Sequence, residues 1–151
     1  MKVSDILRVK GNTLYTVSPE EPLAHAIDIM ADKDIGSLVV MERGNLVGML
    51  TFREVITAIV GNGGAVGGTL IGPIMDKTPM TCTMDTDLDE VRRLALERHA
   101  RYTPVMDGKV LMGVISLYDV AKAVVDAQDF ENKMLKAYIR DWPEEAAPGR
   151  A

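Results

Sequence analysis

Two segments of eight residues each carry a hydroxyl side chain three positions before a carboxylate. GMLTFREV begins at Gly48, and GVISLYDV begins at Gly113. Each segment opens with glycine and two apolar residues and ends with valine. Hydroxyl and acid groups at this spacing either cap a helix or bind the polar parts of a small ligand. The hydroxyl and the acid are Thr51 and Glu54 in the first segment, and Ser116 and Asp119 in the second.

The spacing supports two interpretations, and we keep both open. Ser/Thr-x-x-acid is the capping-box pattern, in which the hydroxyl accepts a bond from first-turn amides and the acid accepts one from the cap amide. A helix start also offers N–H donors and a positive dipole end to a phosphate, and an acid there can accept two bonds from a ribose diol. The glycine that opens each segment favours a ligand, because it allows a close approach to the strand end.

The two segments reveal an internal repeat. The shift from Gly48 to Gly113 is 65 residues, and it aligns 16–60 (the first unit) with 81–125 (the second unit) without a gap. Nine of the 45 aligned pairs are identical, and most other pairs keep their chemical class. A repeat of this length indicates two copies of one structural element. The predicted organisation is a first repeat with an N-terminal segment at 1–63, a glycine-rich linker at 64–73, a second repeat at 74–128 and a C-terminal extension at 129–151.

Both units have the same order of predicted elements. A short strand leads into an amphipathic helix, and an apolar strand, a tight turn and a returning strand form a hairpin. The eight-residue segment then closes the hairpin and opens a second helix. The predicted fold class is therefore α/β (α+β), with two pseudo-symmetric strand-helix-strand-strand-helix repeats. Because one three-stranded sheet cannot bury its apolar face alone, we expect the two copies to face each other.

Composition narrows the classes of function. The chain has 151 residues, 47% of them hydrophobic and 26% charged, which is typical of a globular protein. A net charge of −5 argues against a broad nucleic-acid surface. No apolar run approaches the length of a membrane helix and the chain start does not resemble a secretory signal, so we expect a cytoplasmic protein. One cysteine and two histidines predict neither a disulfide nor a metal site.

The glycine-rich stretch 61–72 reads GNGGAVGGTLIG and invites comparison with phosphate-binding loops. The lysine and hydroxyl of a P-loop do not follow it, and it comes after a predicted helix where a dinucleotide fingerprint would follow a strand. We interpret it as a flexible linker.

At the level of these motifs, the chain resembles a tandem cystathionine-β-synthase (CBS) domain pair over residues 3–125. The carrying features are the two copies of apolar-apolar-Gly-x-x-Ser/Thr-x-x-acid, in register. The resemblance implies two units packed about a pseudo-two-fold axis, with two clefts for adenosine-containing ligands: AMP, ADP, ATP, NAD or S-adenosylmethionine. It also implies that the acid of each segment binds the ribose hydroxyls, and that the module pairs into a dimer.

Position within the resemblance gives two sets of expected ligand-binding residues. Glu54 departs from the family's aspartate, so we expect the Asp119 cleft to be the stronger ribose site. The first cleft comprises Thr16, Val17, Gly36, Ser37, Thr51, Arg53 and Glu54, and the second comprises Thr81, Cys82, Arg101, Tyr102, Thr103, Pro104, Ser116, Tyr118 and Asp119.

Several of these residues have a plain structural alternative. Arg101 and His99 are candidate phosphate ligands, or they complement a helix dipole in solvent. Arg53 and Tyr118 can contact a base or phosphate, or be ordinary exposed residues. Cys82 aligns with Val17, which favours a buried apolar role over a nucleophile.

Two functions remain as alternatives. The first is a regulatory module that senses an adenosine-containing ligand and signals to a separate, unidentified protein. The second is a structural dimerisation module without a nucleotide. A long amphipathic helix from Asp119 onward, with Phe130 and Met134 on its apolar stripe, suggests a homodimer contact, and disorder is expected after Trp142. Catalysis is not expected. The nearest set of a nucleophile, a base and an acid is Ser116, His99 and Asp119, and these residues are already assigned to nucleotide binding.

Overall fold

The computed structural model describes residues 1–11 and 13–140. Within these residues the chain forms five helices and six strands. In chain order they are α1 (Val3–Lys10), β1 (Thr16–Val17), α2 (Leu23–Lys33), β2 (Ser37–Glu42), β3 (Asn45–Thr51), α3 (Phe52–Gly61), β4 (Cys82–Thr83), α4 (Leu88–Arg98), β5 (Tyr102–Asp107), β6 (Val110–Ser116) and α5 (Leu117–Arg140).

The strands form two three-stranded sheets of identical topology. β1 pairs in parallel with β2, and β2 pairs antiparallel with β3; β4, β5 and β6 repeat this arrangement. Each hairpin has a register irregularity, after Val40 in the first sheet and after Val105 in the second, at positions 65 residues apart. The predicted repeat and the mixed α/β fold class are therefore confirmed.

Each sheet has its own hydrophobic core, and each core includes residues from a segment that lies outside its unit. Val3, Ile6 and Leu7 of α1 pack in the core of the second unit, although α1 precedes the first unit in the chain. Ile71, which is fully buried, packs in the core of the first unit. The two outlying segments are thus exchanged between the units.

Backbone hydrogen bonds fix this exchange. Val3 N donates to Thr86 O (3.0 Å) at the second unit. At the first unit, Ile71 N donates to Glu21 O (3.0 Å). The end of the stretch predicted to be a flexible linker is therefore an ordered part of the first unit, because Ile71 contributes a fully buried side chain. The domain boundaries drawn from the sequence remain a prediction.

α5 confirms the long helix expected after Asp119, and it continues well beyond the repeat to Arg140. Its distal apolar side chains are exposed, including Phe130 and Met134. Among the described residues, no helix combines the length and the apolar character required to cross a membrane. The disorder predicted after Trp142 concerns residues outside the described part of the chain.

Candidate ligand-binding site

Both eight-residue segments lie where a strand ends and a helix begins, and both form capping boxes. Thr51 N donates to Glu54 Oε1 (2.8 Å), and Arg53 N donates to Thr51 Oγ1 (3.2 Å). At the start of α5, Ser116 N donates to Asp119 Oδ2 (2.8 Å), and Asp119 N donates to Ser116 Oγ (3.0 Å). The capping interpretation is confirmed for both copies.

The glycines of the two segments are explained by packing within the chain. A Cβ on Gly48 would lie 2.7 Å from Met75 Sδ and 2.8 Å from Asp76 O. A Cβ on Gly113 would lie 2.9 Å from Leu7 Cδ2. The close approach expected at these glycines is confirmed, but the group that approaches each one belongs to a segment of the same chain that packs onto the unit.

A cavity of about 380 Å³, which we call the inter-unit cavity, lies beside the first capping box. This volume falls within the range of small-molecule sites. Three parts of the chain line it: the first unit, the second unit, and the segment that connects them. The lining residues are Gly36, Met49, Thr51, Phe52, Arg53, Glu54 and Ile56; His99, Ala100, Arg101 and Tyr102; and Asp76, Pro79 and Met80.

Basic side chains from both units line this cavity. Arg53 lies in the first turn of α3, whereas His99 and Arg101 follow α4. Among the contacts of the described residues, no hydrogen bond or ion pair engages these three side chains. His99 ends α4 with a left-handed backbone (φ 53°), which turns the chain toward β5. The arrangement leaves two guanidinium groups and an imidazole available to an anion at the start of a helix.

Glu54 supplies an acceptor beside these basic side chains. Its Oε1 accepts bonds from the backbone and hydroxyl of Thr51, both at 2.8 Å. Oε2 accepts no hydrogen bond among the described residues. Because a carboxylate has about four acceptor positions, capping does not exhaust the capacity of Glu54 to bind hydroxyl groups.

The second capping box has a different environment. Lys10 Nζ lies 2.7 Å from Asp119 Oδ2 and 2.9 Å from the carbonyl oxygen of Val114. Burial raises the pKa of Asp119, but the bonds from Lys10 and Ser116 outweigh burial and hold the pKa below its ordinary value. The acid expected to bind ribose more strongly is therefore already engaged by a cation of the same chain.

The family model of the CBS domain matches residues 3–61 and 71–126. The chain belongs to the CBS domain family. It is 28% identical over 147 residues to the CBS domain-containing protein CBSX3, mitochondrial, of Arabidopsis thaliana, a match that covers 91% of this chain and 71% of that protein.

Solved CBS structures share the fold. A putative signal-transduction protein with CBS domains from Burkholderia ambifaria is 31% identical, with a TM-score of 0.79 over 85% of this chain and 96% of that one. The CBS-domain containing protein ATU1752 from Agrobacterium tumefaciens is 29% identical, with a TM-score of 0.78 over 82% and 98%. The resemblance to a CBS pair drawn from the sequence is confirmed.

Two more distant CBS structures contain ligands. CBSX2 was crystallised in complex with AMP; it is 23% identical, with a TM-score of 0.70, over 84% of this chain and 98% of that one. The CBS domain pair of MJ0100 was crystallised with 5′-methylthioadenosine and S-adenosyl-L-methionine; it is 22% identical, with a TM-score of 0.75, over the same shares. At these identities the likeness to this CBS pair concerns the fold.

Four of the residues expected in the first cleft line the inter-unit cavity of this CBS pair. They are Gly36, Thr51, Arg53 and Glu54. The other three belong to the first sheet and do not line it: Thr16 and Val17 pair with β2, and Ser37 pairs with Thr51.

The residues expected in the second cleft are distributed over several places. Tyr118 and Asp119 line a groove beside α1, whereas Ser116 caps α5 and does not line this groove. Thr81 and Cys82 line a separate depression beside α4, while Thr103 and Pro104 are buried in β5. Arg101 and Tyr102 line the inter-unit cavity. The structure does not bring this set together in one cavity.

Other lining residues had no local sequence signal. Asp76, Pro79 and Met80 come from the segment between the CBS units, and they reach the cavity because Asp76 pairs with Met49 at the edge of β3. Phe52, by contrast, lies within the first eight-residue segment, and its 54% exposure marks it as available for contact.

Proposed function

We propose that this CBS pair is a regulatory module that binds a phosphorylated, adenosine-containing ligand in the inter-unit cavity. The observation that carries the proposal is the meeting of Glu54 at the start of α3 with Arg53 and Arg101, whose side chains have no partner among the described residues. The acid provides acceptors for a ribose diol, and the cations together with the helix dipole provide for a phosphate. AMP, ADP, ATP and NAD share these two groups.

The ligand class also draws on the family. CBSX2 with AMP, and the MJ0100 pair with adenosyl ligands, make adenosine the first chemistry to test. S-adenosylmethionine has the ribose but no phosphate, so its binding would depend on Glu54 and not on the arginines. The arginines therefore separate the two kinds of adenosine ligand.

Regulation would follow from the position of the cavity. Arg53 and Arg101 belong to different units, so an anion held by both would link the units and restrain their relative movement. We propose that this restraint is read by a separate partner protein, and that the module works as a cytoplasmic homodimer and not as an enzyme.

Isothermal titration calorimetry with AMP, ADP, ATP, NAD, S-adenosylmethionine and adenosine tests the proposal. We expect AMP to bind at least about tenfold more tightly than adenosine, because charge-assisted bonds contribute about 1.5–3 kcal/mol each. Arg101→Ala should reduce that preference, because only Arg53 and the start of α3 then remain for the phosphate, and it should leave adenosine binding little changed. Arg92→Ala, on the exposed face of α4, is the matched control.

A structural dimerisation module is the second candidate, because the distal apolar face of α5 is exposed. The two candidates give different results in the same titration. Absence of heat and of thermal stabilisation with every compound would reject the ligand-binding module and favour the scaffold.

A further inference from the structure

We propose that Lys10 forms an ion pair with Asp119, the expected ribose-binding acid of the second unit, and so prevents a nucleotide from binding to this acid. Each chain therefore binds a single nucleotide, in the inter-unit cavity. This inference rests on the proposed function. It reverses the ranking expected from the resemblance, in which Asp119 is the stronger ribose ligand.

The contact itself is well defined. Lys10 Nζ donates to Asp119 Oδ2 at 2.7 Å and to Val114 O at 2.9 Å, while Ser116 N donates to the same carboxylate oxygen. The Asp119 side chain is only 19% exposed. A ribose diol would therefore have to compete with an ammonium ion for a largely covered carboxylate.

The position of Lys10 is set by buried residues of the same helix. Val3 is fully buried in the second core, and Leu7 fills the space above Gly113. Lys10 is the last residue of α1, and the amide of Gly11 (φ 84°) closes the helix by donating to Leu7 O at 2.8 Å. The buried residues of α1 therefore hold the Lys10 ammonium in a fixed position.

In the first unit, the carbonyl group equivalent to that of Val114 has a different hydrogen-bond donor. Val114 corresponds by the 65-residue shift to Met49, and Met49 O accepts a bond from the backbone amide of Asp76 (2.9 Å). A neutral backbone amide therefore satisfies the carbonyl in the first unit, and the ammonium of Lys10 does so in the second.

This difference extends to the acids of the two capping boxes. Only the arrangement in the second unit also places a cation on the acid, since Lys10 reaches both the carbonyl and the carboxylate. Glu54 therefore remains available to a ribose, and Asp119 does not.

AMP is the probe for the test, and the readout is the number of AMP molecules bound per chain in calorimetry. We expect one for the wild type and two for Lys10→Met, the second in the groove beside α1 that Tyr118 and Asp119 line, with the first affinity unchanged. Lys10→Met/Asp119→Asn should return to one. Lys2→Met is the matched control, because it removes a lysine from the other end of the same segment, where the Lys2 ammonium lies 4.0 Å from the exposed Asp85.

Two results overturn the inference in distinguishable ways. If the wild type and Lys10→Met bind the same number of AMP molecules, Lys10 does not close the second position, and the proposed function stands. If no variant binds AMP, the proposed function fails and this inference fails with it.

A ligand-free measurement tests the contact independently of nucleotide binding. The ¹³C titration of the Asp119 carboxyl should shift to higher pH in Lys10→Met, because the variant lacks the ammonium that stabilises the carboxylate. An unchanged titration would show that Lys10 does not hold this carboxylate in solution.

Discussion

The hydroxyl group of Tyr102, in the second unit, lies against the backbone of Gly36, in the first. A Cβ added to Gly36 would overlap that hydroxyl and would lie 3.2 Å from Tyr102 Cζ. Both residues line the inter-unit cavity. Gly36 therefore leaves room for the Tyr102 hydroxyl where the two units meet beside the inter-unit cavity.

Gly36→Ala should lower the free energy of unfolding by about 1–3 kcal/mol, the usual cost of overpacking, and weaken AMP binding. Urea unfolding and calorimetry measure the two effects. Gly68→Ala is the control, because a Cβ there meets nothing within 4 Å. Adding Tyr102→Phe to Gly36→Ala removes the overlapping oxygen and should recover part of the stability; no recovery would show that this contact is not the cause.

Removal of either capping hydroxyl group should lower the stability of the protein. Thr51→Ala and Ser116→Ala should each lower the free energy of unfolding by about 0.5–2 kcal/mol, because each removes a side-chain acceptor at a helix start. Thr57→Ala serves as the control, since its hydroxyl only donates to the exposed carbonyl of Arg53 within α3. Equal stability of Thr51→Ala and Thr57→Ala would contradict the assignment.

The exposed face of α5 predicts self-association. Phe130 and Met134 are 65% and 58% exposed and lie one helical turn apart. Replacing both with serine should weaken a homodimer by at least about tenfold, because burying such side chains contributes about 1.5–3 kcal/mol each. Analytical ultracentrifugation measures the change, with Gln128→Ser as an exposed polar control on the same helix. A monomeric wild type would refute the contact.

Because Lys10 pairs with Asp119, the stability of the protein should decrease as the pH is lowered. The pKa of Asp119 is lowered in the folded state, so its contribution is fully present above the unfolded pKa, near 4, and is lost as the pH falls through the folded value. Urea unfolding between pH 6 and pH 2.5 should show a smaller loss of stability for Asp119→Asn than for the wild type. Asp28→Asn, on the exposed face of α2, should follow the wild type.

Cys82 should be inert in the folded protein. It is only 7% exposed, and burial raises the pKa of its thiol to about 12, so almost no thiolate is present at neutral pH. Reaction with a disulfide reagent should be at least about a hundredfold slower in buffer than in urea. Rapid labelling of the native protein would contradict this burial.

The sequence by itself determined the features that depend on neighbouring residues. The two copies, their order of elements and both capping boxes follow from local spacing, since hydrophobic period and Ser/Thr-x-x-acid patterns act within a few residues. The buried role of Cys82 also followed from its alignment with Val17.

The tertiary structure decided which distant segments meet. Leu7 fills the space at Gly113, Met75 fills the space at Gly48, and Lys10 reaches Asp119 across 109 residues of sequence. Local spacing does not predict these contacts. They form because each sheet buries its apolar surface under a segment from outside its own unit. For the same reason, the residues assigned to a second cleft separate in space, while Arg101 and Tyr102 join the first capping box.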